Sequence, residues 1–137
     1  MSTIGKHCIL ELYGCSPEML NDPDGLLAAM KHAATSAGAT WLDSVCHHFN
    51  PQGVTALGLL AESHISIHTW PELGYASADV FTCGDHTDPK LACEILAKAV
   101  GAASIEIRSF ERAARFTGAD LTPAGVIREP LTTSTRA

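Results

Sequence analysis

Residues 54–83 contain three consecutive segments with β-strand character, separated only by short turns. The segments are VTALGLLA (54–61), HISIHTW (64–70) and YASADVFTC (75–83). In the second and third, apolar residues alternate with polar ones, which is typical of a strand whose two faces differ. A parallel pair needs a crossover of about a dozen residues, so a turn as short as PELG (71–74) requires antiparallel pairing. An antiparallel sheet is therefore the predicted centre of the fold.

Two helices and three more strands are predicted around this region. One helix follows the turn NDPDG (21–25), where an Asp can cap the helix and a Pro fits its first turn. The other is predicted within residues 85–101, with Asp88 as N-cap and an apolar stripe of Leu91, Ala92, Ile95, Leu96 and Ala99. The further strands are HCILELYGC (7–15), ATWLDSVCHHF (39–49) and ASIEIRSF (103–110). The expected fold class is α+β, a two-layer sandwich of an antiparallel sheet with helices on one face.

Composition restricts the classes of partner. The 137 residues are expected to form one domain, residues 1–116, followed by an irregular tail, 117–137. A net charge of −6 argues against nucleic acid, and no segment has the apolar run of a membrane span or signal peptide. The five Cys are widely spaced without a CxxC pair, which favours reduced thiols in the cytoplasm. The second sheet face is half polar and half apolar, which predicts burial in an oligomer.

Nucleophilic and metal-binding side chains are concentrated near the middle strands. The candidates are Ser63, His64, His68, Cys83 and His86, together with His47 and His48. Metal binding is not predicted, because His64 and His68 lie four residues apart on a strand and no Cys pair supports them. A Ser or Cys nucleophile activated by His is the alternative. Since Ser63 and His68 differ in parity, they can cooperate only if the strand is irregular near Ser63.

Three stretches resemble the short prokaryotic pyruvoyl-dependent S-adenosylmethionine decarboxylases. They are GKHCILELYGC (5–15), HHFNPQGVTALGLLAESH (47–64) and ESHISIHTWPELGYASADVFTCG (62–84). The resemblance implies that the chain cuts itself between Glu62 and Ser63, into a β chain of residues 1–62 and an α chain of residues 63–137. Ser63 would then become a covalently bound pyruvoyl group. Only a β-hydroxyl or β-thiol residue offers both the nucleophile and the leaving group for this conversion.

The resemblance also implies roles for five further residues. His68 matches the base that removes the Ser63 α-proton, and Cys83 matches the proton donor in decarboxylation. Thr55 stands where the family can carry a Ser that assists processing. Glu72 matches the carboxylate that accepts hydrogen bonds from ribose, and Phe49 is expected to stack on adenine.

The implied activity is conversion of S-adenosylmethionine to its decarboxylated form and carbon dioxide, which supplies aminopropyl groups for spermidine synthesis. The implied assembly is a homodimer of α/β pairs, with no nucleic acid or membrane partner. The same scaffold could instead decarboxylate arginine or ornithine. A non-enzymatic alternative is a His/Cys metal-binding or structural dimer.

Overall fold

The structure, a computed structural model, describes residues 4–113 and residue 130. Its strands and helices run in the order β1 (Gly5–Tyr13), α1 (Pro17–Leu20), α2 (Pro23–Ser36), β2 (Trp41–His48), β3 (Val54–Leu60), β4 (Ser63–Trp70), β5 (Tyr75–Thr82), α3 (Pro89–Ala99) and β6 (Ser104–Arg112). A 3-10 turn, Pro71–Leu73, connects β4 to β5. The predicted tail, 117–137, lies outside the described residues except for Pro130.

The six strands form one antiparallel sheet in the order β2-β3-β4-β5-β1-β6. The segments of residues 54–83 are neighbours in this sheet, as their short turns require. β1 inserts between β5 and β6, so the first strand of the chain lies inside the sheet. The predicted α+β class with an antiparallel sheet is confirmed.

The two faces of the sheet differ because side chains alternate along each strand. On β4, Ile65 and Ile67 are fully buried in a core that includes Met30 of α2 and Leu96 of α3. The intervening residues, His64, Ser66 and His68, lie on the opposite face, called here the open face. This face also carries exposed apolar side chains on β2 and β3, including Val45, Leu57 and Leu59. Its mixed character matches the predicted second face.

Local capping explains where the two long helices begin. The Asp22 side chain accepts a hydrogen bond from the Gly25 N–H at 3.1 Å, and Asp88 accepts one from the Leu91 N–H at 3.2 Å. A Pro follows each cap at the first helical position, where no N–H is needed. The start predicted for the second helix is therefore correct.

The predicted apolar stripe on α3 included Leu91, and this assignment is wrong. Leu91 is 37% exposed, whereas Leu96 is fully buried. Ala92, Cys93 and Ala97 complete the buried face. Leu91 lies in the first turn of the helix, outside this buried face.

Among the described residues, no helix combines the length and hydropathy needed to cross a membrane.

Leu96→Ala and Leu91→Ala provide a matched test of this packing on a single helix. We expect Leu96→Ala to lower the free energy of unfolding by about 2–5 kcal/mol, because it leaves a cavity in the core. Leu91→Ala should cost less than about 1 kcal/mol, since its side chain is already partly in water. Urea denaturation at one protein concentration measures both, and equal losses would contradict the burial of Leu96.

Candidate active site

The backbone is irregular at Ser63, the first residue of β4. Its φ is 147°, a positive value that residues with a side chain rarely adopt. Backbone conformations of this kind cost on the order of 1–3 kcal/mol and persist only where the surrounding structure holds them. An irregularity near Ser63, which cooperation of Ser63 with His68 on one strand would require, is therefore present, and it lies at the bond that joins Glu62 to Ser63.

The carboxylate of Glu62 holds the residue before Ser63 in place. It accepts hydrogen bonds from the Thr40 N–H at 2.8 Å and the Thr40 hydroxyl at 3.2 Å, and His86 Nε2 lies 2.9 Å away. The side chain is only 8% exposed. The Thr40 N–H, followed by His86, keeps the pKa of Glu62 below its ordinary value. Glu62 is thus an ionised, anchored group.

The Glu62 carbonyl faces a hydrogen-bond donor from the neighbouring strand. The backbone N–H of Cys83 donates to this oxygen at 3.0 Å. The contact arises because Ser63 pairs with Thr82 across β4 and β5, so Cys83 follows directly opposite Glu62. A donor at a carbonyl oxygen stabilises negative charge that develops there when the carbon is attacked. The Cys83 thiol is free and exposed.

A second group of predicted residues lies at the other end of β4. His68 pairs with Thr55 of β3, and the Thr55 hydroxyl lies 3.1 Å from His68 Nδ1. Both residues line a cavity of about 310 Å³ together with Phe49 and Glu72. The ring of His47 packs edge-on against Phe49, at a centroid distance of 4.5 Å. The two residues predicted to act in processing, Thr55 and His68, therefore line the same pocket as the two predicted to bind substrate, Phe49 and Glu72.

The two groups do not meet within one chain. Ser63 and His68 are five positions apart on β4, which is about 16 Å at the usual rise of a strand. Ser63 and Cys83 are not among the residues that line the His68 cavity. The predicted site residues therefore form two separate groups within the chain, one at each end of β4, and these groups are called here the half-sites.

A polar cluster that sequence reasoning missed occupies the open face near Ser63. Asp79 Oδ2 lies 2.6 Å from His7 Nε2 and 2.9 Å from His64 Nε2, and the Ser66 hydroxyl donates to Oδ1. Burial raises the pKa of Asp79, but the hydrogen bonds from Ser66, His7 and His64 outweigh it, and the pKa lies below its ordinary value. Alternation places all four residues on one face, but only the strand register reveals that they meet.

His48 and His86, the remaining candidate histidines, have structural partners. His48 Nε2 contacts the Asn21 side-chain oxygen at 2.8 Å, beside the Gly53 N–H that donates to the same oxygen. His86 belongs to the Glu62 anchor. The metal-ligating candidates His64, His68 and Cys83 do not come together. Instead His7, His64 and Asp79 have ligand-type atoms within 4.8 Å of one another.

Comparisons with known proteins agree on one family. Residues 6–113 match the family model described as S-adenosylmethionine decarboxylase. A relative from Parasynechococcus marenigrum (strain WH8102), named S-adenosylmethionine decarboxylase proenzyme, is 54% identical over 131 residues, covering 93% of this chain and 96% of the relative. A relative of the same name from Methanococcus vannielii is 54% identical over 90 residues, covering 66% of this chain and 74% of the relative. The crystal structure of the adenosylmethionine decarboxylase from Aquifex aeolicus VF5 is similar with a TM-score of 0.75 and 31% identity, covering 96% of this chain and 99% of that one.

Glu62→Gln tests the anchor through its pH dependence, in a Ser63→Ala background that cannot cleave. Because the folded-state pKa of Glu62 lies below its ordinary value of 4.5, ionisation favours folding above that pH. This contribution is lost as the pH falls through the folded-state pKa. We expect the Gln variant to be less stable by about 1–2 kcal/mol at pH 7, with the difference shrinking below pH 4.5.

Urea denaturation between pH 3 and 7 measures this difference. Glu94→Gln, on the exposed side of α3, is the control and should show little effect at any pH. A Glu62→Gln difference that stays constant over the whole range would contradict an ionised anchor.

Proposed function

The chain belongs to the S-adenosylmethionine decarboxylase family, and we propose that it cleaves itself before Ser63 and releases carbon dioxide from S-adenosylmethionine. The observation that carries the proposal is the geometry of the bond between Glu62 and Ser63. The bond precedes a residue with a strained φ of 147°, and its carbonyl oxygen accepts a hydrogen bond from the Cys83 N–H at 3.0 Å. Strain and carbonyl polarisation both favour attack by a neighbouring hydroxyl.

Cleavage proceeds through the residues around this bond. The Ser63 hydroxyl attacks the Glu62 carbonyl carbon, and the amide becomes an ester. His68 then removes the Ser63 α-proton, and the ester leaves by elimination, which separates residues 1–62 from 63–137. Hydrolysis of the dehydroalanine that remains gives a pyruvoyl group and ammonia. A neutral imidazole suits the proton abstraction because it can accept a proton near pH 7, and Thr55, 3.1 Å from His68 Nδ1, orients the ring.

The residues around Ser63 suit a pyruvoyl group. Its ketone provides an electron sink when it condenses with the α-amine of an amino acid substrate. Ser63 has the hydroxyl needed to form the group. The cross-strand partner of Ser63 is Thr82, and Cys83 is the next residue after Thr82. The exposed Cys83 thiol has an S–H that can deliver a proton to the substrate α-carbon.

The cavity beside His68 is suited to the nucleoside part of the substrate. A volume of about 310 Å³ is at the lower end of the range of small-molecule pockets. The ring of Phe49 is exposed and can stack on adenine, and the ring of His47 lies at 70° to it with the centroids 4.5 Å apart. Glu72 offers a carboxylate that can accept hydrogen bonds from both ribose hydroxyls.

Two copies of the chain are needed to complete each site. A two-fold axis near the middle of β4, on the open face, would bring the His68 of each protomer toward the Ser63 of its partner. The apolar side chains of Val45, Leu57 and Leu59 are exposed in the single chain, and their exposure supports this mode of association because a partner would bury them. The proposed assembly is therefore a homodimer of α/β pairs, with each site formed by both copies.

The other functions considered have less support. The matched proteins are named for S-adenosylmethionine, so the comparisons do not support arginine or ornithine as substrate. The family assignment also disfavours a purely structural or metal-binding dimer. All five Cys are free thiols, which supports the proposed location in the reducing cytoplasm. The product would supply aminopropyl groups for spermidine synthesis.

Intact-mass spectrometry and carbon dioxide release test the proposed function directly. The purified protein should contain residues 1–62 and a fragment of residues 63–137 that is lighter than its Ser form by one ammonia. It should release labelled carbon dioxide from carboxyl-labelled S-adenosylmethionine and not from arginine or ornithine. Ser63→Ala should remain one chain without activity. A wild-type chain that stays intact after prolonged incubation would refute self-cleavage.

Mixed dimers test whether the two half-sites come from different copies. Ser63→Ala and His68→Ala chains, expressed separately, should not mature, because one lacks the nucleophile and the other lacks the base. When they are co-expressed, the Ser63→Ala chain should supply its His68 to the His68→Ala chain, which then yields the 63–137 fragment with its pyruvoyl group. The control partner is the double variant Ser63→Ala, His68→Ala, which should give no rescue. Failure of rescue in isolated mixed dimers would mean that both groups act within one chain.

A further inference from the structure

Ser63, His64 and Asp79 form a continuous chain of polar contacts on the open face. The Ser63 hydroxyl oxygen lies 3.4 Å from His64 Nδ1, and His64 Nε2 lies 2.9 Å from Asp79 Oδ2. The order is hydroxyl, imidazole, carboxylate. The same order activates the nucleophile in serine hydrolases, and a contact of 3.4 Å is of the loose kind that tightens during reaction.

Hydrogen-bond chemistry determines which nitrogen of His64 carries the proton. The pKa of Asp79 lies below its ordinary value, so its carboxylate is ionised at neutral pH and can only accept. His64 Nε2 must therefore carry the hydrogen that points at Asp79. In a neutral imidazole the other nitrogen then has a free lone pair, and this nitrogen, Nδ1, faces the Ser63 hydroxyl.

The carboxylate of Asp79 is itself held from two sides. The Ser66 hydroxyl donates to Oδ1, and His7 Nε2 lies 2.6 Å from Oδ2. Arg112 Nη1 lies 2.9 Å from His7 Nδ1, and a guanidinium can only donate. His7 Nδ1 is therefore the acceptor, and its Nε2–H donates to Asp79. A metal ion binds a ring nitrogen through its lone pair. In this arrangement Nε2 of both His7 and His64 carries a hydrogen, and the lone pair lies on Nδ1. The cluster therefore favours proton transfer over metal binding.

We infer that His64 is the catalytic base for the first step of self-cleavage and that Asp79 is its positioning residue. This inference rests on the proposed cleavage before Ser63. His64 Nδ1 takes the proton from the Ser63 hydroxyl as the oxygen bonds to the Glu62 carbonyl carbon. The carbonyl electrons move to the oxygen held by the Cys83 N–H. When they return, the bond to the Ser63 nitrogen breaks, and that nitrogen receives the proton from His64, which leaves an ester and a neutral imidazole.

Two histidines thus divide the work. His64 serves the exchange of amide for ester, and His68 serves the later removal of the α-proton. The division follows from their positions, because His64 contacts the Ser63 hydroxyl within its own chain, whereas His68 lies about 16 Å along the strand. The two variants should therefore stall at chemically different stages.

Cleavage kinetics of freshly translated full-length chain test the inference. His64→Ala should slow conversion of the precursor by about 10²-fold, the lower end of the range for a general base. The precursor that accumulates should be the amide, which neutral hydroxylamine does not cut, whereas His68→Ala should accumulate an ester that hydroxylamine does cut. His32→Ala, which removes an exposed histidine on α2, should cleave at the wild-type rate.

A Ser63→Cys background separates a base from a merely structural residue. A thiol ionises far more readily than a hydroxyl, so its attack depends less on a base. The loss caused by His64→Ala should therefore be at least ten-fold smaller in the Ser63→Cys background than in the chain that keeps Ser63. Asp79→Asn should also slow cleavage of the chain that keeps Ser63, and this loss of rate should be smaller in the Ser63→Cys background. Equal losses in both backgrounds would assign His64 a structural role and overturn the inference.

Three further outcomes are decisive. If wild type cleaves and His64→Ala cleaves equally fast, the inference fails while the proposed function stands. If wild type itself does not cleave, the proposed function fails and the inference with it. Loss of wild-type cleavage in EDTA, with recovery on adding zinc, would show that His7, His64 and Asp79 hold a metal and would overturn the proton relay.

Discussion

The hydrogen-bonded register between β4 and β5 is the constraint on which the rest of the site depends. Because Ser63 pairs with Thr82, the N–H of the following residue, Cys83, donates to the Glu62 carbonyl. The same register places Asp79 opposite Ser66. A slip of one residue would turn every side chain of the strand to the other face. It would separate Asp79 from His64 and bring Ile65 out of the core. The apolar residues that stabilise the sheet thereby also position the bond at which cleavage is proposed.

Two buried or half-buried carboxylates, Glu62 and Asp79, hold the segment around the proposed cleavage bond. Glu62 is tied to Thr40 on the loop that leads into β2, and Asp79 is tied to residues of β1 and β4. Hydrogen bonds keep the pKa of each below its ordinary value, so both are ionised at neutral pH. Moving either ionised carboxylate away from its hydrogen-bond donors would cost free energy. The two carboxylates explain how an irregular backbone at Ser63 can persist at the start of a strand.

In the proposed dimer, the separation of the half-sites connects catalysis to assembly. Thr55, His68, Phe49 and Glu72 share one cavity, while Ser63 and Cys83 lie toward the other end of β4. The open face between them is polar near Asp79 and apolar over β2 and β3. Under the proposed dimer, the surface that the helices leave uncovered is also the surface that completes the site, so one face serves both association and chemistry.

Local sequence determined the elements of this protein, and the tertiary structure decided which side chains meet. Alternation in HISIHTW and YASADVFTC, short turns, and Asp–Pro caps are local signals, so the antiparallel sheet and both long helices could be predicted from them. The motif around Ser63, His68 and Cys83 indicated the candidate site through its resemblance to a family. Periodicity assigns a face but not a register, so the contacts of Asp79 with His7 and His64 could not be predicted. Nor could the Cys83 N–H at the Glu62 carbonyl, because that contact depends on long-range pairing of backbone groups rather than on residue type.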